Sequence, residues 1–300
     1  MAWQHDLSPL LIDLGEVTIP FINVTFPFRI AWYGVMYVIG FIIGGYLVNR
    51  RAKRGLLKVN LEQASNFIPY MMVGMIVGAR LFYVFLYDWP TYKARILSGD
   101  LLAPCAIWMG GLSFHGAAVG MAIASLLYAR RYKRPFQEVH DTLVFSATLG
   151  IFFGRLGNFI NGELYGRSTN VPWAVQFPNR EGGFTDPKHP SQLYEAFGEG
   201  LLLWIVLLFV QKYCLNKQSY KSGYLSVVFL FGYGLVRFIV EFFREPDSQL
   251  GFIFMNLSMG QILCLLMMLS AALYAFFFVK GREVFVPEVP NEKFLKATEA

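Results

Sequence analysis

Seven stretches of mostly apolar residues leave this chain few places to fold other than a lipid bilayer. They lie at roughly 30–49, 67–87, 110–129, 141–160, 192–211, 223–243 and 257–279 of the 300 residues. Each is close to the ~20 residues that a helix needs to cross the hydrocarbon core. Inside that core every backbone N–H and C=O must be satisfied within the protein, and a helix does so within its own segment. The expected fold class is therefore all-α and integral to the membrane, with seven transmembrane helices. Only 15% of residues are charged, against about 25% in soluble domains. The third, fourth and fifth stretches are the least purely apolar.

The loops set an orientation. Arg50, Arg51, Lys53, Arg54 and Lys58 follow the first stretch, and Arg130, Arg131, Lys133 and Arg134 the third. Lys212, Lys217 and Lys221 follow the fifth, and Lys280, Arg282, Lys293 and Lys296 the seventh. These are 16 of the 26 basic residues, all on one side. Positive loops face the cytoplasm, which places the N-terminus outside and the C-terminus inside. The net charge of +6 is then an insertion signal, and no nucleic-acid partner is expected. The N-terminal MAWQHDLSPLL lacks a basic n-region, so the first span is expected to serve as an uncleaved targeting signal.

Residues 1–29 are expected to form an arm at the membrane interface, and the Gly-, Pro- and Asn-rich 161–191 a small outer head. Together with the spans they make one catalytic domain, 1–282, followed by a cytoplasmic tail, 283–300. Gly40, Gly44 and Gly45 allow close helix approach in the first span. Cys105, Cys214 and Cys264 are isolated, which indicates neither a disulfide framework nor a zinc site. No metal, nucleotide or other cofactor is expected.

The polar groups inside the spans are concentrated at one depth. Tyr33, Arg80, His115, Arg155, Asn158, Tyr194, Glu195, Arg237, Glu241 and Gln261 all fall near the outer ends, with Glu199 deeper. At ~1.5 Å rise per residue, most lie within roughly 10 Å of the outer hydrocarbon edge. Charges in spans are costly and mark function by default. A solute pathway would need polar groups at several depths and often an internal repeat; neither is evident, so a transporter is the weaker reading. A receptor pocket stays open. Each residue also has a plain structural reading. Arg237 and Glu241, four apart, can pair; Arg80 can snorkel; His115 can be a packing residue; Tyr33, after Trp32, can be a belt anchor.

The segment G-R-L-G-N-F-I-N-G-E-L-Y-G-R, 154–167, ends the fourth span. Arg155 and Asn158 share a helix face, and an arginine fork beside amides and glycine backbone suits a phosphate headgroup. A glycine-punctuated helix end with an anchored arginine is the plain alternative. This segment closely resembles the signature of the bacterial prolipoprotein diacylglyceryl transferases. So do RIAWYG at 29–34, GGLSFHG at 110–116, HPSQLYEA at 189–196 and YGLVRFIVEFFREPD at 233–247. Ala31 departs from relatives that carry a polar residue there. The arm before 29 and the tail after Arg282 carry little of the likeness.

The resemblance implies an enzyme of the bacterial cytoplasmic (inner) membrane with its site toward the periplasm. Its partners would be phosphatidylglycerol and the lipobox cysteine of a prolipoprotein signal peptide. A diacylglyceryl group would move to that thiol, with release of glycerol-1-phosphate. Arg155, Arg237, His115 and Tyr33 are then the candidate catalytic residues. Asn158, Asn161, Glu163, Gly166, Glu241 and Arg80 are the candidate substrate-binding ones. The arginines would hold the leaving phosphate. The thiol, with an ordinary pKa of about 8.5, could lose its proton to His115 or ionise beside Arg237; both routes stay open.

Overall fold

In the computed structural model, residues 2–19, 21, 24–107, 110–179, 181–245, 252–254 and 257–296 are described. Pro246 and Asp247 of the last motif block, and Pro20 of the arm, lie outside them. The chain divides into two compact units, Met1–Gly44 with Val144–Val286 and Gly45–Leu143 with Pro287–Ala300.

In chain order the elements are β1 (Trp3–Gln4), β2 (Leu10–Ile19), β3 (Val24–Ala31), α1 (Trp32–Lys53), α2 (Leu61–Ser65) and α3 (Phe67–Phe82), which widens into a π turn at Tyr83–Tyr87. Next come α4 (Trp89–Leu97), α5 (Phe114–Arg131), α6 (Phe136–Ile160), β4 (Val175–Gln176) and α7 (Ser191–Glu195). A π turn, Ala196–Leu202, joins α7 to α8 (Leu203–Asn216). Then follow α9 (Tyr224–Val240), β5 (Phe252–Phe254), β6 (Leu257–Ser258), α10 (Met259–Tyr274), a π turn at Ala275–Val279, and α11 (Glu292–Lys296).

The chain is mostly helical, as the apolar runs require. Five helical segments among the described residues are long and apolar enough to cross a membrane: Trp32–Lys53, Leu61–Tyr87, Phe136–Ile160, Ser191–Asn216 and Met259–Val279. The expected third and sixth spans also form helices. One is 18 residues long and carries His115 near its start and Arg130 and Arg131 at its end; the other has 17 residues. The third starts at Phe114 rather than at 110. Gly110 and Gly111 adopt φ +81° and +75°, which breaks the helix, and Ser113 Oγ accepts the Gly116 N–H at 3.2 Å as its N-cap.

Strands are an addition that helical periodicity could not reveal. The arm is an antiparallel hairpin, with β2 and β3 paired from Leu10↔Ala31 to Ile19↔Val24. Its ladder is irregular around Gly15, whose φ of +66° suits a bulge. The 161–191 segment, expected as an outer head, is held by short bridges, among them Ser168↔Lys188 and Gly166↔Arg244.

In the second unit α3 and α5 cross backbone to backbone. A Cβ on Gly74 would meet Ala124 Cβ at 2.5 Å, and one on Gly78 would meet Gly120 Cα at 2.7 Å. Small residues spaced by four give membrane helices this close approach. The small-residue contact expected of the first span is looser: a Cβ on Gly40 would stand 3.4 Å from Gly150 Cα.

Candidate active site

In the first unit the last turns of α6, the end of α7 and the π turn after it, and the end of α9 deliver six charged side chains to one place. Arg155 comes from α6, Glu195 and Glu199 from α7 and the π turn, and Arg237 from α9. Glu241 and Arg244 follow α9 directly. Both Glu195 and Glu199 have no solvent exposure, and Glu241 is buried as well. Three guanidinium groups face three carboxylates, so the cluster is neutral as a whole. That balance is what allows charges to persist away from water.

Glu195 is the hub. Arg155 Nε lies 2.6 Å from its Oε2, and Arg237 Nη1 lies 3.2 Å from its Oε1. Arg244 Nη1 donates to that same Oε1. Glu199 draws Arg155 and Arg237 from one helical turn further, at 3.8 and 3.6 Å, with Tyr233 beside it. Arg237 Nη2 reaches Glu241 Oε2 at 3.2 Å, and Arg244 Nε stands 3.7 Å from it. Several of these contacts are coulombic rather than aligned hydrogen bonds. Glu195 Oε2 and Arg237 Nη1 have no hydrogen-bond partner among the described residues despite these distances. A buried N–H donor in that position can still donate to an oxygen ligand.

Glu241 is fixed from the other side. Its Oε1 accepts the Ser258 hydroxyl at 3.0 Å, and Ser258 is the N-cap of α10 in a capping box with Gln261. The carboxylate thus sits at a helix N-terminus, where negative charge is favoured. Gly260 makes room for it: a Cβ there would fall 2.7 Å from Glu241 Cδ.

The Gly154–Arg167 segment leads from this cluster into the head. Asn158 Nδ2 donates to Glu163 Oε1 at 2.8 Å, and Asn161 Nδ2 reaches the same oxygen at 3.3 Å. The chain turns back through Gly162, at φ +67°, so that the Glu163 amide donates to Asn158 O at 3.1 Å. Tyr33 packs on Gly157, where a Cβ would meet its ring at 2.8 Å; its hydroxyl pairs with Tyr37 at 3.1 Å. Gly154, by contrast, has open space beside it. Gly166 is clasped between His189 and Phe243: its amide donates to His189 O, and Arg167 N donates to Phe243 O, each at 2.9 Å. Its Cα leaves no room for a side chain against the Phe243 carbonyl.

His189 Nδ1 is 3.1 Å from the Tyr194 hydroxyl, which accepts from Trp173 Nε1 at 2.7 Å. Burial holds the His189 imidazole below its ordinary pKa.

Of the ten expected site residues, eight fall in this first unit: Arg155, Arg237, Tyr33, Asn158, Asn161, Glu163, Gly166 and Glu241. Arg80 and His115 belong to the second. Arg80 is buried there and donates to the carbonyls of Ala103, Pro104, Gly110 and Gly111 at 2.6–3.1 Å. Its guanidinium stands 5.0 Å from the Tyr92 ring centroid. This fixes the turn ahead of α5 on the loop after α4. His115 is exposed in the first turn of α5, with Nδ1 3.5 Å from Tyr87 Oη. Sequence reasoning did not single out Arg244, and it placed Glu195 and Glu199 without a role. A signal for Arg244 existed in its spacing of three from Glu241. Among the described residues no three His, Cys, Asp or Glu side chains gather as a metal site.

A family model described as prolipoprotein diacylglyceryl transferase matches residues 20–277. Curated relatives agree. A phosphatidylglycerol–prolipoprotein diacylglyceryl transferase of Rickettsia canadensis is 41% identical over 266 residues, covering 88% of this chain and 94% of the relative. Its namesake in Photobacterium profundum is 41% identical over 268 residues, 89% and 91% of the two chains. That of Aeromonas salmonicida is 41% identical over 290 residues, 94% and 96%.

Proposed function

Because the chain belongs to the prolipoprotein diacylglyceryl transferase family, we propose that it moves the diacylglyceryl group of phosphatidylglycerol onto the lipobox cysteine of a prolipoprotein. The observation that carries this reading is the cluster of half-buried Arg155, Arg237 and Arg244 around the fully buried Glu195. The substrate thiol forms a carbon–sulfur bond to the glycerol carbon as the carbon–oxygen bond to phosphate breaks. The phosphodiester, with one negative charge, leaves as the monoester glycerol-1-phosphate, with more. A site for this step must favour the added charge, and preorganised guanidinium groups in a poorly hydrated pocket do so.

Arg155 and Arg237 are the phosphate-holding groups. Each gives up part of its carboxylate contact when the phosphate arrives, and Arg237 Nη1, which ion-pairs with Glu195 and Glu199 without an aligned hydrogen bond, turns to donate to it. Glu195 and Glu241 keep the arginines oriented. Asn158, Asn161, Glu163 and Gly166 shape the substrate-facing turn, with Tyr33 against it. Arg80 acts through the loop it clasps. The thiol proton passes to His115 or is released beside Arg237; the role of His115 is carried over from its motif.

Seven spans cross the cytoplasmic membrane of a bacterium, with the N-terminus outside and the basic loops inside. Residues 1–282 form the catalytic domain, with its site on the periplasmic side, and 283–300 a cytoplasmic tail. Purified protein in phosphatidylglycerol vesicles, given a lipobox peptide, should yield a thioether-linked diacylglyceryl peptide by mass spectrometry. Peptide binding without that product would favour a receptor and refute the transferase reading.

A further inference from the structure

The N-terminal segment before the family match carries a buried histidine that reaches the end of α6. β1 pairs in parallel with β4 of the head, Trp3↔Val175 and Gln4↔Gln176, and the His5 amide extends the pairing by donating to Gln176 O at 2.9 Å. The His5 side chain is 1% exposed and sits against Phe159 and Phe177, each with ring centroids 5.3 Å away. Trp3 covers Phe159 in a stacked contact at 6.1 Å.

His5 Nε2 lies 2.7 Å from Phe159 O. A carbonyl only accepts, so Nε2 donates. The same carbonyl also accepts the Gly162 amide at 2.9 Å, so both of its lone pairs are used. The last carbonyls of a helix lack intrahelical partners, and this one lies between Asn158 and Glu163. We propose that His5 is a positioning residue, which locks the 158–163 turn so that the Asn158–Glu163 pair is preset for substrate. The inference rests on the transferase reading for its catalytic consequence, but its geometric claim stands apart from it.

The test uses the full-length enzyme in phosphatidylglycerol vesicles. His5→Leu removes the donor, His5→Gln keeps an amide N–H at the reach of Nε2, and His5→Asn stops short of it. Amide hydrogen exchange at Gly162 and Glu163 should accelerate about tenfold in the Leu and Asn variants and remain within about threefold of the parent in Gln. The kcat for glycerol-1-phosphate release should fall about tenfold in Leu and Asn, with KM for peptide changed less than twofold, since small misplacements of a preset site act on turnover. In an Asn158→Ala background the additional loss from His5→Asn should shrink below twofold, because the positioned group is gone. Unchanged exchange in His5→Asn, a Gln variant as impaired as Asn, or a full additional loss in the Asn158→Ala background would each overturn the proposal. A parent enzyme without transfer would sink the transferase reading instead, and the exchange comparison would still decide the role of His5.

Discussion

Gly200→Ala is the substitution that best separates the position of the charge cluster from its chemistry. Gly200 follows Glu199 in the π turn after α7 and faces Phe152, three residues before Arg155 on α6. A Cβ at 200 would stand 2.6 Å from Phe152 Cα and Cβ and 2.7 Å from its N, whereas ordinary van der Waals contact begins near 3.4 Å. None of these atoms can rotate away, so α6 and the π turn must separate by about 0.8 Å, the difference between the two distances. Overpacking of this kind costs roughly 1–3 kcal/mol. The Arg155 Nε–Glu195 Oε2 distance would open from 2.6 Å to about 3.4 Å by the same arithmetic. Displacements near 1 Å cost up to about a hundredfold in rate. The apparent melting temperature should therefore drop by several degrees, and glycerol-1-phosphate release by about ten- to a hundredfold, with all six charges still present. Gly150→Ala, where a Cβ meets nothing within 4 Å, is the control and should leave both unchanged. Parental melting and parental turnover in Gly200→Ala would refute the close-approach argument.

Further outcomes follow from the same geometry. Glu195→Ala leaves three arginines facing two carboxylates and should cost about 3–5 kcal/mol in stability, as breaking a buried ion pair does; an unaltered melting curve would show that the cluster is not a coupled unit. Gly260→Ala pushes Glu241 away from Ser258 and should mimic Glu241→Gln in turnover; a fully active variant would argue against Glu241 orienting Arg237. Arg80→Gln should raise hydrogen exchange at Ser113 and Gly116 by about tenfold, because the carbonyls it clasps lose their donors; unchanged protection would count against the loop-clasp role. The folded-state pKa of His189 is depressed, so the unfolded chain binds more protons as pH falls below about 6.5. Protection of the Gly166 and Arg167 amides should hold above that pH and weaken below it, and His189→Gln should abolish the dependence.

The membrane character and most helix boundaries were readable because hydrocarbon imposes one rule on every segment. The arm's hairpin was not readable: its Leu, Ile and Phe residues are interrupted by Pro20 and Pro27, and its pairing depends on contacts between β2 and β3. The site residues were picked out by motifs, and eight of the ten expected ones share one unit. The partners of those residues were less legible. Arg237–Glu241 showed as a spacing of four, but Glu195 as the shared partner of three arginines depends on where α6, α7 and α9 meet. Arg80 looked like a substrate-facing charge, and its contacts with the carbonyls of Ala103, Pro104, Gly110 and Gly111 could not be inferred from spacing. His5 gave no motif signal because its role is set by a two-residue strand.

The central claim is that Arg155 and Arg237 stabilise the phosphate that leaves. Single-turnover release of glycerol-1-phosphate from phosphatidylglycerol vesicles, with saturating lipobox peptide, measures it directly. Arg155→Ala and Arg237→Ala, each checked for normal insertion and melting, should slow release by about a hundred- to a thousandfold, the range for removing a preorganised donor to a developing anion. Release within a fewfold of the parent in both variants would contradict the claim.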